Sequence, residues 1–373
     1  MDLFVDRSGS IEALSHLLEQ ASQSETVEGL LILCCDANGF EAEQLDPLIA
    51  GLEVPVIGGV FPELIYAKEK LQTGSIVASL SVAPEVHTIE GLSDENTDFS
   101  TTIEQQISQV HACKTMLVFV DGLASRIASL IEGLFVVFGL ECNYIGGGAG
   151  SLSFEQRPCI ITPQGLKQNC AVIGLLDVDS GIGVQHGWEN ISGPYKVTES
   201  DRTVIKRLDG KLAFDVYKEV VEKASGQCFE TDNFFDIAKG YPFGINRTGD
   251  EKIVRDPIVL DEEGGLVCVG EVPQGSYVYI LKGNLNSLVF AATKARALGE
   301  YSFPKEGKAE THLFIDCISR VLFLEDQFYR ELEAVYDSET PLLGALTLGE
   351  IANFGKDFLE FYNKTAVLGV LGV

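Results

Sequence analysis

One pattern occurs three times along the chain and constrains most of it at once: an apolar strand ending near an aspartate, room for one helix, an apolar turn containing glycine, and another apolar strand. The first copy reads LLILCCDANG (30–39), PVIGGV (55–60) and GSIVASL (74–80). The second reads TMLVFVDGLAS (115–125), NYIGGGAG (143–150) and CAVIGLL (170–176). The third reads THLFIDCISR (311–320), PLLGALTLGE (341–350) and TAVLGVL (365–371). Asp36, Asp121 and Asp316 each close the first strand, and from there to the first glycine of the turn the chain runs 22, 25 and 28 residues. Strands that are apolar throughout, rather than alternating, suit sheets covered on both faces. The expected fold is α/β (mixed α+β), with mixed sheets built around three strand-helix-strand-strand units.

Helices are expected at 40–52, 125–140 and 321–336, between strand and turn of each copy, and an amphipathic helix at Ile11 to Ala21 behind Ser10. Between the second and third copies the character changes. Strands joined by turns lead to a helix over 212–224, and polar residues cluster at 225–236, where the domain boundary is placed: one domain over 1–224 and another over 225–373. The segment KIVRDPIVLDEEGGLVCVGEVPQGSYVYIL (252–281) reads as an antiparallel meander at the start of the second domain, turning at 262–265 and 273–275, with a helix following over 287–298.

Composition excludes several functions. With 373 residues, 46% of them apolar, the chain has material for two domains. A net charge of −28 with no local basic patch argues against nucleic acid and anionic lipid as partners. The nine cysteines are odd in number and form no C-x-x-C pair; Cys34, Cys35, Cys170 and Cys268 sit inside apolar runs, as reduced core thiols of a cytoplasmic protein do. The five histidines (His16, His87, His111, His186, His312) lack ligand spacing, so neither a metal nor a cofactor is expected. The start MDLFVDRSGSIEALSHLL has no basic segment before an apolar core, and the stretch 127–140 is interrupted by Glu132; neither a signal peptide nor membrane insertion is expected.

Taken in order, several segments resemble the FIST family of sensory modules: PVIGGV (55–60); GGGAG (146–150), a strand, then VQHGW (184–188); Val197-Thr198 followed by LDGKLAFDVY (208–217); VRDPIV (254–259); FIDCISR (314–320); and PLLGALTLGEI (341–351). The likeness runs from about Leu30 to the end. It implies a FIST N-like first domain, a FIST C-like second domain, and signal input in bacteria by small-molecule binding, with amino acids as the ligands proposed for the family. Relatives fuse the module to histidine kinase or cyclic-dinucleotide output domains. Here no room for such a domain is evident, and output is expected through association with a separate protein of that kind.

The candidate residues have competing roles. Asp36, Asp121 and Asp316 lie at strand ends, where α/β sheets commonly hold ligands, yet an aspartate there also caps the next helix. Arg320, a cation at a helix start, calls for an anion, either a ligand carboxylate or a protein acid such as Glu350. Cys317 is a nucleophile or an inert packed thiol. Ser319, Thr347 and Glu350 complete a polar set that, with Arg320, would match the two charges of an amino acid. The glycine turns serve either a ligand or close strand packing; GGGAG fits no nucleotide-binding pattern. His186, beside the only tryptophan, Trp188, is a ligand contact or a structural residue. Arg255 interrupts an apolar strand, so it should lie at a sheet edge or reach an acid, with Asp256 pointing the other way. The expected function is a non-catalytic cytoplasmic sensor of a small polar metabolite. The alternatives are an enzyme using Cys317 or His186 and a ligand-free interaction scaffold.

Overall fold

A computed structural model of the chain describes residues 1–24, 26–107, 113–230, 232–246, 252–353 and 358–372; His111 lies outside them. The first repeat comprises β1 (Leu3–Asp6), α1 (Ile11–Ser22), β2 (Gly29–Cys35), α2 (Ala42–Ala50), β3 (Val56–Phe61), the hairpin β4 (Glu63–Tyr66) and β5 (Glu69–Leu71), and β6 (Ser75–Leu80). The second follows the same order: β7 (Glu85–Glu90), α3 (Phe99–Gln106), β8 (Thr115–Asp121), α4 (Ile127–Phe138), β9 (Asn143–Ala149), the hairpin β10 (Ile160–Thr162) and β11 (Gly165–Lys167), and β12 (Cys170–Leu176). The third opens with β13 (Asp179–Gln185) and is then interrupted.

The interruption is a body of its own: β14 (Glu189–Asp201), β15 (Val204–Leu208), β16 (Lys211–Leu212), α5 (Ala213–Ser225), α6 (Phe234–Ala238), β17 (Phe243–Asn246), β18 (Lys252–Leu260), β19 (Leu266–Val269) and β20 (Tyr277–Lys282). The meander expected over 252–281 holds only in part: β18 and β19 pair antiparallel across the turn at 262–265, but β17 is the third strand of the run, and β20 crosses over to pair with β17 and β14 rather than with β19. Since β14 pairs with both β20 and β15, six strands close into an antiparallel barrel with β16 at its margin. The helix α5 lays Val216, Tyr217 and Val221 on the barrel core. The third repeat then resumes with α7 (Leu285–Ser302), β21 (Ala309–Cys317), α8 (Ile318–Leu324), α9 (Tyr329–Val335), β22 (Leu342–Thr347), the hairpin β23 (Glu350–Asn353) and β24 (Leu359–Tyr362), and β25 (Ala366–Gly372).

Each repeat builds one six-stranded sheet around a parallel pair: β2 with β3, β8 with β9, β21 with β22. Each also gives its hairpin away. The β4–β5 hairpin adds to the third sheet beside β22, β10–β11 to the first beside β3, and β23–β24 to the second beside β9, so that the exchange closes in a ring. The registers coincide: Ile65 lies opposite Gly344, Ile161 opposite Gly58, and Ile351 opposite Gly146. A Cβ on any of these glycines would overlap a carbonyl oxygen of the neighbouring parallel strand, that of Ile32, Val118 or Phe314. The glycine turns therefore serve close strand approach.

Strand alternation explains the continuous apolar runs. Leu117 and Phe119, like Leu313 and Ile315, face one core shared by the three sheets. Their neighbours Met116, Val118 and Phe314 face outward, under helices. Three of the four described sheets mix strands from either side of residue 224, and the expected division at 224/225 falls at the end of α5, inside the barrel body.

Two expectations need correction. The closing aspartates are not equivalent: measured from Ile32, Val118 and Phe314, Asp36 lies four residues on, Asp121 three and Asp316 two. Asp36 starts a 3-10 turn, whereas Asp316 lies inside β21, paired with Leu346 and Ala366. The helix expected over 321–336 is two helices, parted by a 3-10 turn at Glu325–Gln327 in which Glu325 has φ +50°.

Candidate functional site

A cavity of about 890 Å³ lies between the barrel and the threefold core. The core contributes the loop after β8, one face of α4, the start of α8, and β24. The barrel contributes β18 and the loops at 202–203 and 269–273. Most of the wall is apolar, with Ile131 and Phe135 of α4 facing Ile253 and Ile258 of β18.

The polar end is built where β18 meets the turn between β24 and β25. Lys364, with no solvent exposure, places its ammonium 3.0 Å from the Asp256 carboxylate, donates to the Lys239 carbonyl at 2.9 Å, and lies 4.9 Å from the Trp188 ring centre. The Arg255 guanidinium donates to the carbonyls of Val254, Glu271 and Phe361 and, at 3.4 Å, to Asn363 Oδ1. The strand β18 is flanked by β17 and β19, so Arg255 is at no sheet edge. Burial raises the Asp256 carboxyl, and Lys364 and the nearby Ser319 hydroxyl act against that rise.

Two buried polar groups on this wall lack hydrogen-bond partners among the described residues. Neither Asp256 oxygen receives a well-directed hydrogen bond, although Oδ2 has the Lys364 ion pair, and the Asn363 amide nitrogen donates to nothing. Asn363 turns its oxygen toward Arg255, which leaves the amide N–H groups available. A group orphaned in this way costs about 1–3 kcal/mol, and such groups concentrate where something else supplies the partner.

The seven expected site residues divide. Cys317 and Ser319 line the cavity; Arg320, Asp316, Glu350, Thr347 and His186 do not. Arg320 is fully buried. Its Nε lies 3.0 Å from Asp316 Oδ1, its other nitrogens bond Glu331 and the His186 carbonyl, and it spans the junction of β21, α8 and α9. Glu350 accepts from Thr347 Oγ at 3.0 Å and from the Thr365 amide at 3.2 Å, with the Cys317 thiol beside it, and burial pushes its carboxyl up to about 8. Burial also holds the Cys317 thiol well above its ordinary range, as befits an unreactive thiol. His186 Nδ1 accepts from the Trp188 amide, and burial beside Arg320 lowers the ring to about 3, so it is neutral.

The other two strand-end aspartates fasten loops. Asp36 accepts from Ser151 Oγ at 2.6 Å; Asp121 accepts from the amides of Leu123 and Asn169 and from Gln156. No group of three or more metal-ligating side chains occurs among the described residues.

Comparison with known families matches the FIST N domain over residues 29–211 and the FIST C domain over residues 213–353. The chain belongs to the FIST family. FIST domains are sensory domains of signal-transduction proteins. No curated protein matches the chain. The two FIST segments meet between β16 and α5, within the barrel, so the β14 to β16 side of the barrel is FIST N and the β17 to β20 side is FIST C. The cavity is likewise composite: α4 belongs to FIST N, and β18 and α8 belong to FIST C.

The sequence places Arg255 and Asp256 in a strand without marking them as site residues, and Asn363 stands out there only as the start of an N-x-T triplet, which carries no meaning without secretion. The one available signal was the charged pair interrupting an otherwise apolar strand.

Proposed function

We propose that this FIST protein is a non-catalytic cytoplasmic sensor that binds a small metabolite carrying a polar group in the cavity between barrel and core. Occupancy is passed to a separate signalling protein, such as a histidine kinase or a cyclic-dinucleotide enzyme. The observation that carries this reading is that Asp256, whose ion pair with Lys364 leaves its oxygens without a well-directed hydrogen bond, and the Asn363 amide nitrogen, which donates to no described group, line one cavity. A ligand satisfying both stabilises the seating of the barrel on the core by its differential affinity for that arrangement, which is the thermodynamic content of a signal. The non-catalytic reading rests on Cys317, whose thiol on the cavity wall burial holds well above its ordinary range and so makes a poor nucleophile. The free thiols of the described chain suit a reducing compartment.

The test is a thermal-shift and calorimetric screen of amino acids and other small polar metabolites, repeated on Asp256→Asn. A binder whose affinity falls at least tenfold in the variant supports the proposal. Silence across the screen, or binding indifferent to Asp256, overturns it.

A further inference from the structure

The cavity also bears on what kind of molecule it takes. Its volume of about 890 Å³ is near the top of the about 300–1,000 Å³ range of pockets that bury drug-sized ligands. A free amino acid would leave most of that space to water against an apolar wall. The apolar character extends outward as well: Leu152, Phe154 and Phe358 line the mouth while remaining exposed, an arrangement that leaves apolar surface uncovered.

The polar end is small by comparison, and each of its charged groups already has a partner. Asp256 already has Lys364 at 3.0 Å, and Arg255 is held by carbonyls and by Asn363. A ligand carboxylate would meet the Asp256 charge, and a ligand ammonium would meet Lys364 and Arg255, each beside a mostly apolar wall where an unmatched charge is penalised. What this end leaves open is a well-directed hydrogen bond to Asp256, beyond the Lys364 ion pair and the nearby Ser319 hydroxyl, and an acceptor for the Asn363 amide. The two residues belong to facing dipeptides, Arg255-Asp256 and Asn363-Lys364, tied across by the 3.4 Å and 3.0 Å contacts, and both line the cavity.

We infer that the ligand is a neutral amphiphile: a primary carboxamide or lactam-type edge, presenting N–H and C=O together, on an apolar body larger than an amino-acid side chain. The N–H donates to Asp256 and the C=O accepts from Asn363, while the body fills the space between α4 and β18. This inference rests on the sensor reading and narrows its ligand class.

The experiment is calorimetric titration of the full chain with four probes: 4-phenylbutanamide, 4-phenylbutanoate, 4-phenylbutylamine and leucine. The amide is expected to bind at least tenfold more tightly than the acid, the amine or leucine. Ile258→Glu, at a half-buried wall position, should weaken the amide at least tenfold with the far-ultraviolet circular dichroism unchanged, and Asn363→Leu should bring amide and acid closer together. If Asn363→Leu fails to fold, Ile258→Glu and the four-probe ranking still decide. Leucine or either charged probe binding as well as the amide overturns the ligand class and leaves the sensor reading standing. The same holds if all four probes fail while the metabolite screen yields an Asp256-dependent binder. If the four probes and the screen are both silent, the class and the sensor reading fall together.

Discussion

The Lys364 ammonium lies 3.0 Å from the Asp256 carboxylate, both groups fully buried, and through this pair the turn between β24 and β25 of the threefold core is fastened to strand β18 of the barrel. Removing one partner of such a pair strands the other charge, which typically costs about 3–5 kcal/mol, whereas replacing both with apolar residues is often close to neutral. Lys364→Met should therefore lower the urea midpoint sharply, and the double variant Asp256→Leu/Lys364→Met should recover most of the loss. Additive effects of the two substitutions would show that the pair does not couple the bodies.

Arg320 holds two carboxylates, Asp316 and Glu331, at one fully buried point. Without the guanidinium both acids must be protonated to stay buried. A buried acid whose folded pKa lies above its unfolded value binds more protons when folded, so its contribution to stability is lost as pH rises. Arg320→Met should be destabilised by several kcal/mol at pH 8 and by clearly less at pH 5. Thermal melts across that range check it, and a loss independent of pH would contradict the assignment.

Glu350 carries the same sign. Its folded value of about 8 against an ordinary 4.5 means that stability declines as pH rises from 4.5 through 8, by up to about 1.4 kcal/mol per pH unit for the one proton. Between pH 7.5 and 8, where His186 is neutral in folded and largely neutral in unfolded chains, Glu350→Gln should flatten the decline. Parallel curves for wild type and variant would place the ionisation elsewhere.

Gly58, Gly146 and Gly344 occupy one register position in three repeats, each against a carbonyl of the adjoining strand. Alanine at any of them must push the parallel pair apart, with an expected loss of about 1–3 kcal/mol. Gly51, at the end of α2 and clear of the sheets, should accept alanine with little change. Chemical denaturation of the four variants makes the comparison; an undisturbed Gly146→Ala would contradict the close approach.

The repeat, its strands and most helix positions were legible because each rests on a local pattern: LLILCC, MLVFV and HLFI are buried on both faces, and the glycines stand where strands nearly touch. The exchange of hairpins left no comparable mark, since Ile65, Ile161 and Ile351 look alike whether they pair within a repeat or between repeats. The alignment on aspartates misled because it weighed chemical identity over register. Glu331 illustrates the hardest part. In an unbroken helix it would stand about 16 Å along the axis from Arg320, out of reach. Only the turn at Glu325, a non-glycine residue with φ +50°, folds it back into contact, and nothing in EDQ announces that turn. Asp256 and Asn363 were obscure for the same reason: they lie far apart in sequence, and what joins them is the docking of barrel on core.

A ligand seated between α4 and β18 must lose its place when that space is filled. Ala128, half-buried on the cavity face of α4, can be replaced by tryptophan at a helix position without disturbing the polar end. Calorimetric titration of wild type and Ala128→Trp with the tightest ligand from the metabolite screen should show at least a tenfold loss of affinity in the variant at unchanged melting temperature. Equal affinity in the two proteins would show that the ligand does not bind between α4 and β18.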